Sequence, residues 1–162
     1  MSAGRLRDDL VFRVDDLTGP ATQGLIVEHL AEMHATSPAE SVHALDLDRL
    51  RDPSITFWSG WIGDDLAVMG ALKRLDAANG ELKSMRTSAA ARGTGAGRAI
   101  LRHIVAAAVA EGITTLWLET GAEPHFAPAR ALYASEGFEV CGPFADYVLD
   151  PNSVFMTRRL RS

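Results

Sequence analysis

The stretch that decides the fold is Thr87-Ser-Ala-Ala-Ala-Arg92-Gly93-Thr94-Gly95-Ala96-Gly97-Arg98, which joins a strand-like segment to the clearest helical segment of the chain. Glycines allow a tight turn and let a ligand approach backbone N–H groups closely. The start of a helix leaves up to four N–H groups without intrahelical partners and carries about half a positive charge, which suits an anion. Because Arg92 and Arg98 add positive charge, the stretch predicts a cradle for a diphosphate group. The alternative is a glycine turn that only caps the helix.

Two other phosphate-binding motifs fit this stretch poorly. A P-loop ends in Gly-Lys-Ser/Thr, whereas this stretch ends in Gly97-Arg98-Ala99. A dinucleotide-binding motif needs Gly-x-Gly-x-x-Gly after a strand that is buried on both faces and nearly all apolar. Glu119 follows at a distance suited to a dinucleotide ribose, but the glycine spacing differs and Glu81–Thr87 is too polar for that strand. A doubly wound dinucleotide-binding domain is therefore disfavoured.

Composition narrows the class of protein. The chain has 162 residues, of which 47% are hydrophobic and 23% charged, as in an ordinary soluble domain. The net charge of −5 argues against nucleic acid as the main partner. A single cysteine, Cys141, cannot form an internal disulfide, and neither a secretory signal nor a membrane-spanning segment is evident. We therefore expect one cytoplasmic domain over residues 1–162, with no nucleic-acid or membrane partner.

Apolar periodicity and turn residues predict the element order β-α-α-β-β-β-α-β-α-β-β. Hairpins come first and one β-α-β crossover lies near the middle. This order predicts an α/β (α+β) fold, with a mixed, mostly antiparallel sheet of six to seven strands and helices on both faces. The predicted segments are Leu10–Asp15, Pro20–Ala35, Leu47–Arg51, Ile55–Ile62, Leu66–Leu75, Glu81–Thr87, Thr94–Glu111, Thr114–Glu119, Ala127–Glu136, Phe138–Cys141 and Val154–Leu160.

Two motifs on these elements point to one family. Arg92-Gly93-Thr94-Gly95-Ala96-Gly97 fits the pattern Arg/Gln-x-x-Gly-x-Gly/Ala, and Ala129-Arg-Ala-Leu132-Tyr133-Ala-Ser-Glu-Gly137-Phe138 fits Ala-x-x-Leu-Tyr-x-x-x-Gly-Phe. With both motifs, the chain resembles the GNAT superfamily of acetyl-CoA-dependent N-acetyltransferases over most of its length, from Val11 to Leu160. Two further segments resemble a bacterial branch of small GNAT enzymes: Met33–Asp46 and Gly142–Met156.

The resemblance implies the co-substrate and its position. Acetyl-CoA would lie in a V between two parallel strands, Glu81–Thr87 and Thr114–Thr120, with its pyrophosphate on the glycine-rich turn and its pantetheine arm paired with strand backbone. No metal is expected, because the histidines lack a ligand spacing and there is no cysteine pair. Arg98 or Arg102 could meet the CoA 3′-phosphate, the alternative being a solvated helix face. The residues implied for acetyl-CoA are Met85, Arg86, Thr87, Arg92, Gly93, Thr94, Gly95, Ala96, Gly97, Arg98 and Thr120.

Amine acetylation sets the chemistry to be supplied. Deprotonating an alkyl amine of pKa about 10.4 near pH 7.4 costs roughly 4 kcal/mol, so a base is useful. The resemblance implies Glu81 as this base, with a surface glutamate as the alternative. Glu81 precedes Thr87 by six residues, an even offset, so the two side chains lie on the same face of the strand unless a bulge intervenes. The resemblance also implies that Tyr133 donates a proton to the leaving thiolate; the alternative is that Tyr133 is only a packing residue. It further implies that a backbone N–H of Met85 or Arg86 donates to the thioester oxygen.

One departure from the family pattern concerns the loop before the second motif. Phe126 stands where the family often has an asparagine that contacts pantetheine, so that contact must come from Thr120 or from backbone. His125 could line the cleft or lie on the surface. The acceptor pocket is expected from the polar region after the first helix, the alternative being local capping and turns. The acceptor-binding candidates are His34, Glu40, Ser41, His43 and Trp58.

The function predicted from these observations is acetyl transfer from acetyl-CoA to an amine of a small molecule. Two alternatives stay open: a GNAT-fold module that binds or senses acetyl-CoA with little turnover, and a protein-lysine acetyltransferase. The acidic balance of the chain suits a cationic acceptor. A monomer or a homodimer is expected, the latter through an exposed C-terminal strand.

Overall fold

One mixed sheet of seven strands forms the centre of the fold. The computed structural model describes residues 9–42 and 45–160. The strands are β1 Leu10–Val14, β2 Ile55–Ile62, β3 Asp65–Arg74, β4 Asn79–Thr87, β5 Thr115–Gly121, β6 Glu139–Cys141 and β7 Ser153–Arg159. Their order across the sheet is β1-β2-β3-β4-β5-β7-β6. All neighbours are antiparallel except β4 and β5, which are parallel, so the predicted sheet is confirmed.

Within the described residues, four α-helices accompany this sheet. They are α1 Pro20–Thr36, α2 Leu47–Leu50, α3 Ala96–Ala110 and α4 Ala127–Ser135. Pro20 occupies the first turn of α1, where its missing N–H costs nothing. The Asp46 side chain caps α2 by accepting a hydrogen bond from the Arg49 N–H, at 2.9 Å. Gly112, at a φ of 83°, follows α3 in the left-handed conformation that commonly ends a helix.

The two faces of the sheet carry separate apolar cores. Along β3, Val68 and Leu72 pack with Ile100 of α3, whereas Met69 packs with Ile26 of α1. This alternation is the period of two that a strand with both faces covered must show. We call the side covered by α3 the α3 face and the side covered by α1 the α1 face. The prediction of helices on both faces is confirmed.

A β-bulge interrupts β4. Ser84 and Met85 both lie opposite Gly70 of β3, and the register shifts by one residue at this point. Ser84 has a φ of 56°, in the left-handed region that a residue with a side chain seldom adopts. A bulge of this kind redirects every side chain that follows it.

The bulge decides which β4 side chains share a face. Glu81, Lys83 and Arg86 pair with β3 residues that lie on the α1 face, whereas Thr87 pairs with Val68 on the α3 face. The expectation that Glu81 and Thr87 share a face is therefore wrong, because the bulge changes the parity between them.

The strands β4 and β5 separate after a short paired section. Their parallel pairing runs from Asn79 opposite Thr115 to Leu82 opposite Leu118 and includes no later residues. The later parts of both strands form the two arms of a V, as expected for the predicted parallel pair.

The C-terminal strand is not at an edge of the sheet. β7 lies between β5 and β6, and the edge strands are β1 and β6. The expectation that the C-terminal strand lies exposed at an edge of the sheet is therefore wrong. Within residues 9–42 and 45–160, no helix combines the length and the apolar character needed to cross a bilayer.

Candidate active site

A cleft of about 680 Å³ opens where β4 and β5 diverge. The glycine-rich turn, the start of α3 and the side chains of α4 line one end. The α1 helix, the cleft-facing side chains of β4 and β5, and a segment before β7 line the other end. The cleft therefore joins the predicted anion cradle to a group of titratable side chains.

The glycine-rich turn has the backbone geometry that its sequence predicts. Gly93 and Gly95 adopt φ values of 78° and 91°, which carry a steric penalty for residues with a Cβ. Helix α3 begins directly after Gly95, so its first N–H groups lack intrahelical partners. A Cβ at Gly97 would lie 3.3 Å from the Thr87 hydroxyl oxygen, tighter than an ordinary contact. These features fit a polyanion seated against backbone.

The predicted acetyl-CoA residues divide into two groups. Thr94 and Ala96 do not line the cleft: the Thr94 hydroxyl donates to the Ala91 carbonyl, and the Ala96 side chain is buried at the start of α3. The residues of this set that line the cleft are Met85, Arg86, Thr87, Arg92, Gly93, Gly95, Gly97, Arg98 and Thr120.

Two arginines of α3 are tied to the end of α4. Arg98 Nη1 lies 2.9 Å from Glu136 Oε2, and Arg102 Nε lies 2.6 Å from Glu136 Oε1. Hydrogen bonds from Arg102, then the charges of both arginines, outweigh burial and lower the pKa of Glu136. Of these two arginines, Arg98 lines the cleft and Arg102 does not.

At the other end of the cleft, two side chains donate to one buried carboxylate. Glu81 is 3% exposed, and its Oε2 accepts hydrogen bonds from Tyr147 Oη and from Lys83 Nζ, the latter at 3.0 Å. Lys83 Nζ also lies 2.9 Å from the Tyr147 oxygen. Burial, followed by the charge of Glu81, raises the pKa of Tyr147, so its hydroxyl keeps its proton. We call these three residues the Glu81 cluster.

Glu119 on β5 adds a second carboxylate beside this cluster. It lines the cleft, and burial raises its pKa from 4.5 to about 7. The nearby charges of Glu81 and Asp150 raise this pKa further, while Ser153 and Lys83 oppose the rise. Glu119 can therefore exchange a proton close to neutral pH.

The comparisons with known proteins identify the family. The Acetyltransferase (GNAT) family pattern matches residues 23–138 of this chain. The chain belongs to the GNAT acetyltransferase family. Its relatives include the "Uncharacterized N-acetyltransferase YsnE" of Bacillus subtilis, 55% identical over 92% of this chain and 99% of the relative. The "Uncharacterized N-acetyltransferase YedL" of Escherichia coli is 49% identical over 92% of this chain and 94% of the relative.

Solved structures share the fold of this GNAT enzyme. A proposed acyl-CoA N-acyltransferase from Klebsiella pneumoniae has a TM-score of 0.76 and 25% identity, over 94% of this chain and 98% of that one. A GNAT acetyltransferase from Elizabethkingia anophelis, solved with acetyl-CoA bound, has a TM-score of 0.68 and 13% identity, over 94% and 99%. The predicted family and enzyme class, an acyltransferase, are thus confirmed.

In this GNAT enzyme, Tyr133 lies on α4 at the wall of the cleft. It is 7% exposed and packs edge-on against Phe138, with ring centroids 5.8 Å apart. Burial raises the pKa of Tyr133, so the hydroxyl stays protonated at neutral pH. Tyr133 therefore presents a protonated hydroxyl group at the wall of the cleft.

The loop after β5 is shaped around Phe126, the residue that departs from the family pattern. Its ring lies against Gly121, where a Cβ would overlap the ring. Arg130 Nη1 donates to the carbonyls of Gly121, at 2.6 Å, and of Glu123, at 3.0 Å. Phe126 and Thr120 both line the cleft.

Charged side chains also join α1 to the rest of the cleft. Arg86 Nη2 forms ion pairs with Glu28, at 2.8 Å, and with Glu32. His125 Nε2 contacts the other oxygen of Glu32, so His125 lies in the cleft and bridges to α1. Burial lowers the pKa of His29 to about 4, which keeps this histidine neutral. Arg86 therefore faces the cleft and is held between two carboxylates.

Of the candidate residues for acceptor binding, some line the cleft and others do not. Ser41 lines the cleft, and its hydroxyl donates to Asp150 Oδ2 at 2.6 Å. His34 is exposed near the end of α1 and does not line the cleft. His43 and the side chain of Glu40 lie outside the described residues.

Trp58 lies away from the cleft. It pairs with Gly70 and packs in the α3 core, with its ring 6.0 Å from that of His103. The expected acceptor role of Trp58 is contradicted, because strand parity directs this residue to the α3 face. Among the described residues, no group of three His, Cys, Asp or Glu side chains is placed to hold a metal ion.

Sequence reasoning missed Tyr147 and Glu119 as site residues. Tyr147 belongs to the segment Gly142–Asn152, which we call the strap. Phe144 of the strap stacks on Trp117 with centroids 5.4 Å apart, which fixes Tyr147 over β4 and β5. The available signals were the aromatic residues of the strap and the position of Glu119 two residues after Trp117 on a strand.

Proposed function

We propose that this GNAT enzyme transfers the acetyl group of acetyl-CoA to a primary amine of a small molecule. One observation carries the proposal: a single cleft joins the glycine-rich helix start to a buried group of proton-accepting and proton-donating side chains. Acetyl-CoA supplies a thioester whose carbonyl carbon an amine can attack. The GNAT acetyltransferase from Elizabethkingia anophelis, which has a similar fold, has acetyl-CoA bound in its crystal structure.

The co-substrate would be held mainly by backbone. Amides from Gly93 to Arg98 would receive the pyrophosphate, aided by the charge of Arg92. Beyond Leu82, β4 has no β5 partner, so its free edge can pair with the amide groups of an extended arm. At the bulge, the N–H of Met85 or Arg86 would stabilise negative charge on the thioester oxygen.

Proton transfers would use both ends of the cleft. The Tyr133 hydroxyl would protonate the departing sulfur, since burial keeps this hydroxyl protonated at neutral pH until a thiolate forms. The proton acceptor for the amine would be a carboxylate at the other end, where Glu81 and Glu119 lie. A tyrosine hydroxyl at one end of the cleft and glutamate carboxylates at the other suit an acyl transfer to nitrogen.

The end of the cleft that contains Glu81 and Glu119 is enclosed, and this enclosure favours a small acceptor over a lysine side chain of a protein. The Ser41–Asp150 hydrogen bond joins the strap to the turn after α1, and the His125–Glu32 contact joins α1 to the loop after β5. These contacts wall the acceptor end on two sides. A compact amine fits such a space better than a side chain on a folded protein surface.

The test measures binding and turnover separately. Calorimetry with acetyl-CoA measures binding, and thiol release is followed with benzylamine, putrescine, glycinamide and Nα-acetyl-lysine methyl ester as acceptors. We expect binding, and release with at least one small amine that falls about 100-fold in Tyr133→Phe. Binding without release would favour the sensing module. Release with the lysine ester alone would favour a protein acceptor.

A further inference from the structure

We propose that Glu119, rather than Glu81, takes the proton from the acceptor nitrogen, and that Glu81 is a positioning residue for Lys83 and Tyr147. This inference rests on the proposed function, since it assigns a role within the same reaction. Three observations carry it: the place of Glu119 in the V, the occupied state of Glu81, and the charges around Glu119.

The sheet register places Glu119 at the apex of the V. Leu118 is the last β5 residue paired with β4, and Glu119 is the first residue beyond it. Trp117 pairs with Glu81, so Glu119, two residues later, lies on the α1 face with Glu81. Glu119 lines the cleft where β4 and β5 diverge, and the proposed function would bring the acceptor amine to the thioester there.

Glu81 is already committed to protein partners. It is nearly inaccessible at 3% exposure, and two donors converge on its Oε2. An acceptor amine would have to displace the Lys83 ammonium or the Tyr147 hydroxyl to reach this oxygen. Breaking a buried pair leaves an uncompensated charge, which is strongly unfavourable. Glu81 therefore holds Lys83 and Tyr147 in place.

Glu119 has the opposite character. Within residues 9–42 and 45–160, no cation forms an ion pair with it. The charged and titratable groups facing it are Glu81 and Lys83 from β4 and Tyr147 and Asp150 from the strap, while β7 contributes the Ser153 hydroxyl. Burial and the two other carboxylates bring its pKa to about 7, the range in which a general base works best.

The proposed step balances in protons and electrons. The neutral amine nitrogen forms a bond to the thioester carbonyl carbon, and the bond between that carbon and sulfur breaks. Glu119 accepts the proton released by nitrogen, and Tyr133 gives its hydroxyl proton to sulfur. Exchange with solvent then returns a carboxylate to Glu119 and a proton to Tyr133.

The kinetic test compares pH profiles of kcat/KM for wild type, Glu119→Gln and Glu81→Gln, using the amine with the greatest turnover in the panel above. We expect a wild-type acidic limb near pH 7. In Glu119→Gln, kcat/KM at pH 8 falls about 100-fold or more and the limb disappears. Glu81→Gln keeps the limb, and Glu119→Asp restores part of the rate. Glu139→Gln, at an exposed β6 position, serves as the matched control.

Two outcomes overturn the proposal: an acidic limb that survives in Glu119→Gln, or one that disappears only in Glu81→Gln. A second measurement needs no acceptor. With glutamate labelled at its side-chain carboxyl carbon, NMR should show one carboxyl titrating near pH 7 that is absent from Glu119→Gln. If no glutamate titrates there, the proposal fails, whereas failure to bind acetyl-CoA would overturn the proposed function instead.

Discussion

The raised pKa of Glu119 predicts a pH-dependent difference in stability between the wild type and Glu119→Gln. The folded protein holds the Glu119 proton up to about pH 7, whereas an unfolded glutamate releases it near the ordinary value of 4.5. Between these values the folded state binds more protons, so rising pH lowers the free energy of unfolding. The stabilising contribution is complete below pH 4.5 and is lost once the pH exceeds about 7.

The pKa difference sets the size of the effect. A displacement from 4.5 to about 7 corresponds to a loss of roughly 3 kcal/mol across this window. Glu119→Gln carries no titrating group at this position, so its curve lacks the loss. At pH 8, relative to pH 4.5, the variant should gain about 1 to 3 kcal/mol on the wild type.

Urea unfolding at intervals between pH 4.5 and 8, followed by tryptophan fluorescence, measures this difference. Groups common to both proteins cancel, including His29, whose depressed pKa lowers stability as the pH falls from 6.5 towards about 4. Glu139→Gln should give a curve parallel to that of the wild type. A constant gap between wild type and Glu119→Gln across the whole range would refute a raised Glu119 pKa.

Three other substitutions test the cradle, the loop and the core. Gly95→Ala places a Cβ on a residue with a φ of 91°, so we expect the free energy of unfolding in urea to fall by about 1 kcal/mol. Calorimetry should also show weaker acetyl-CoA binding. The control Gly142→Ala, where a Cβ meets no atom within 4 Å, should change neither quantity. Gly121→Ala must displace the Phe126 ring, and a raised KM for acetyl-CoA at nearly unchanged kcat would show it. Ile104→Ala removes a fully buried side chain on the inner face of α3 and should lower the free energy of unfolding by about 2 to 5 kcal/mol. A loss below about 1 kcal/mol would contradict its place in the core.

Much of the fold follows from local sequence signals. Predicted and observed ends of every helix and strand agree within two residues. The reason is physical: β2 is rich in β-branched and aromatic residues, and α3 has one apolar stripe ending at Gly112, so each element is specified by its own residues. The glycine-rich turn could be predicted from the sequence for the same reason, since its backbone conformations favour glycine.

The bulge in β4 could not be read in this way. A glycine at the bulged position would have been a signal, but the residue with positive φ is Ser84, which resembles any other strand residue. Its strained conformation is maintained by the strands around it. Because the bulge changes parity, correct prediction of the strand still gave the wrong relation between Glu81 and Thr87.

The Glu81 cluster shows why the second half of the site was hidden. A carboxylate buried in a central strand needs donors, because an unpaired buried charge is very costly. Lys83, two residues away on the same face, supplies one donor and is visible in the sequence. The other donor, Tyr147, lies 66 residues from Glu81 along the chain and reaches it from the strap, which Phe144 anchors on Trp117. Lys83 is ion-paired with Glu81, whereas no ion pair to Glu119 forms within residues 9–42 and 45–160. That difference in partners separates the carboxylate that holds Lys83 and Tyr147 in place from the one proposed to exchange a proton.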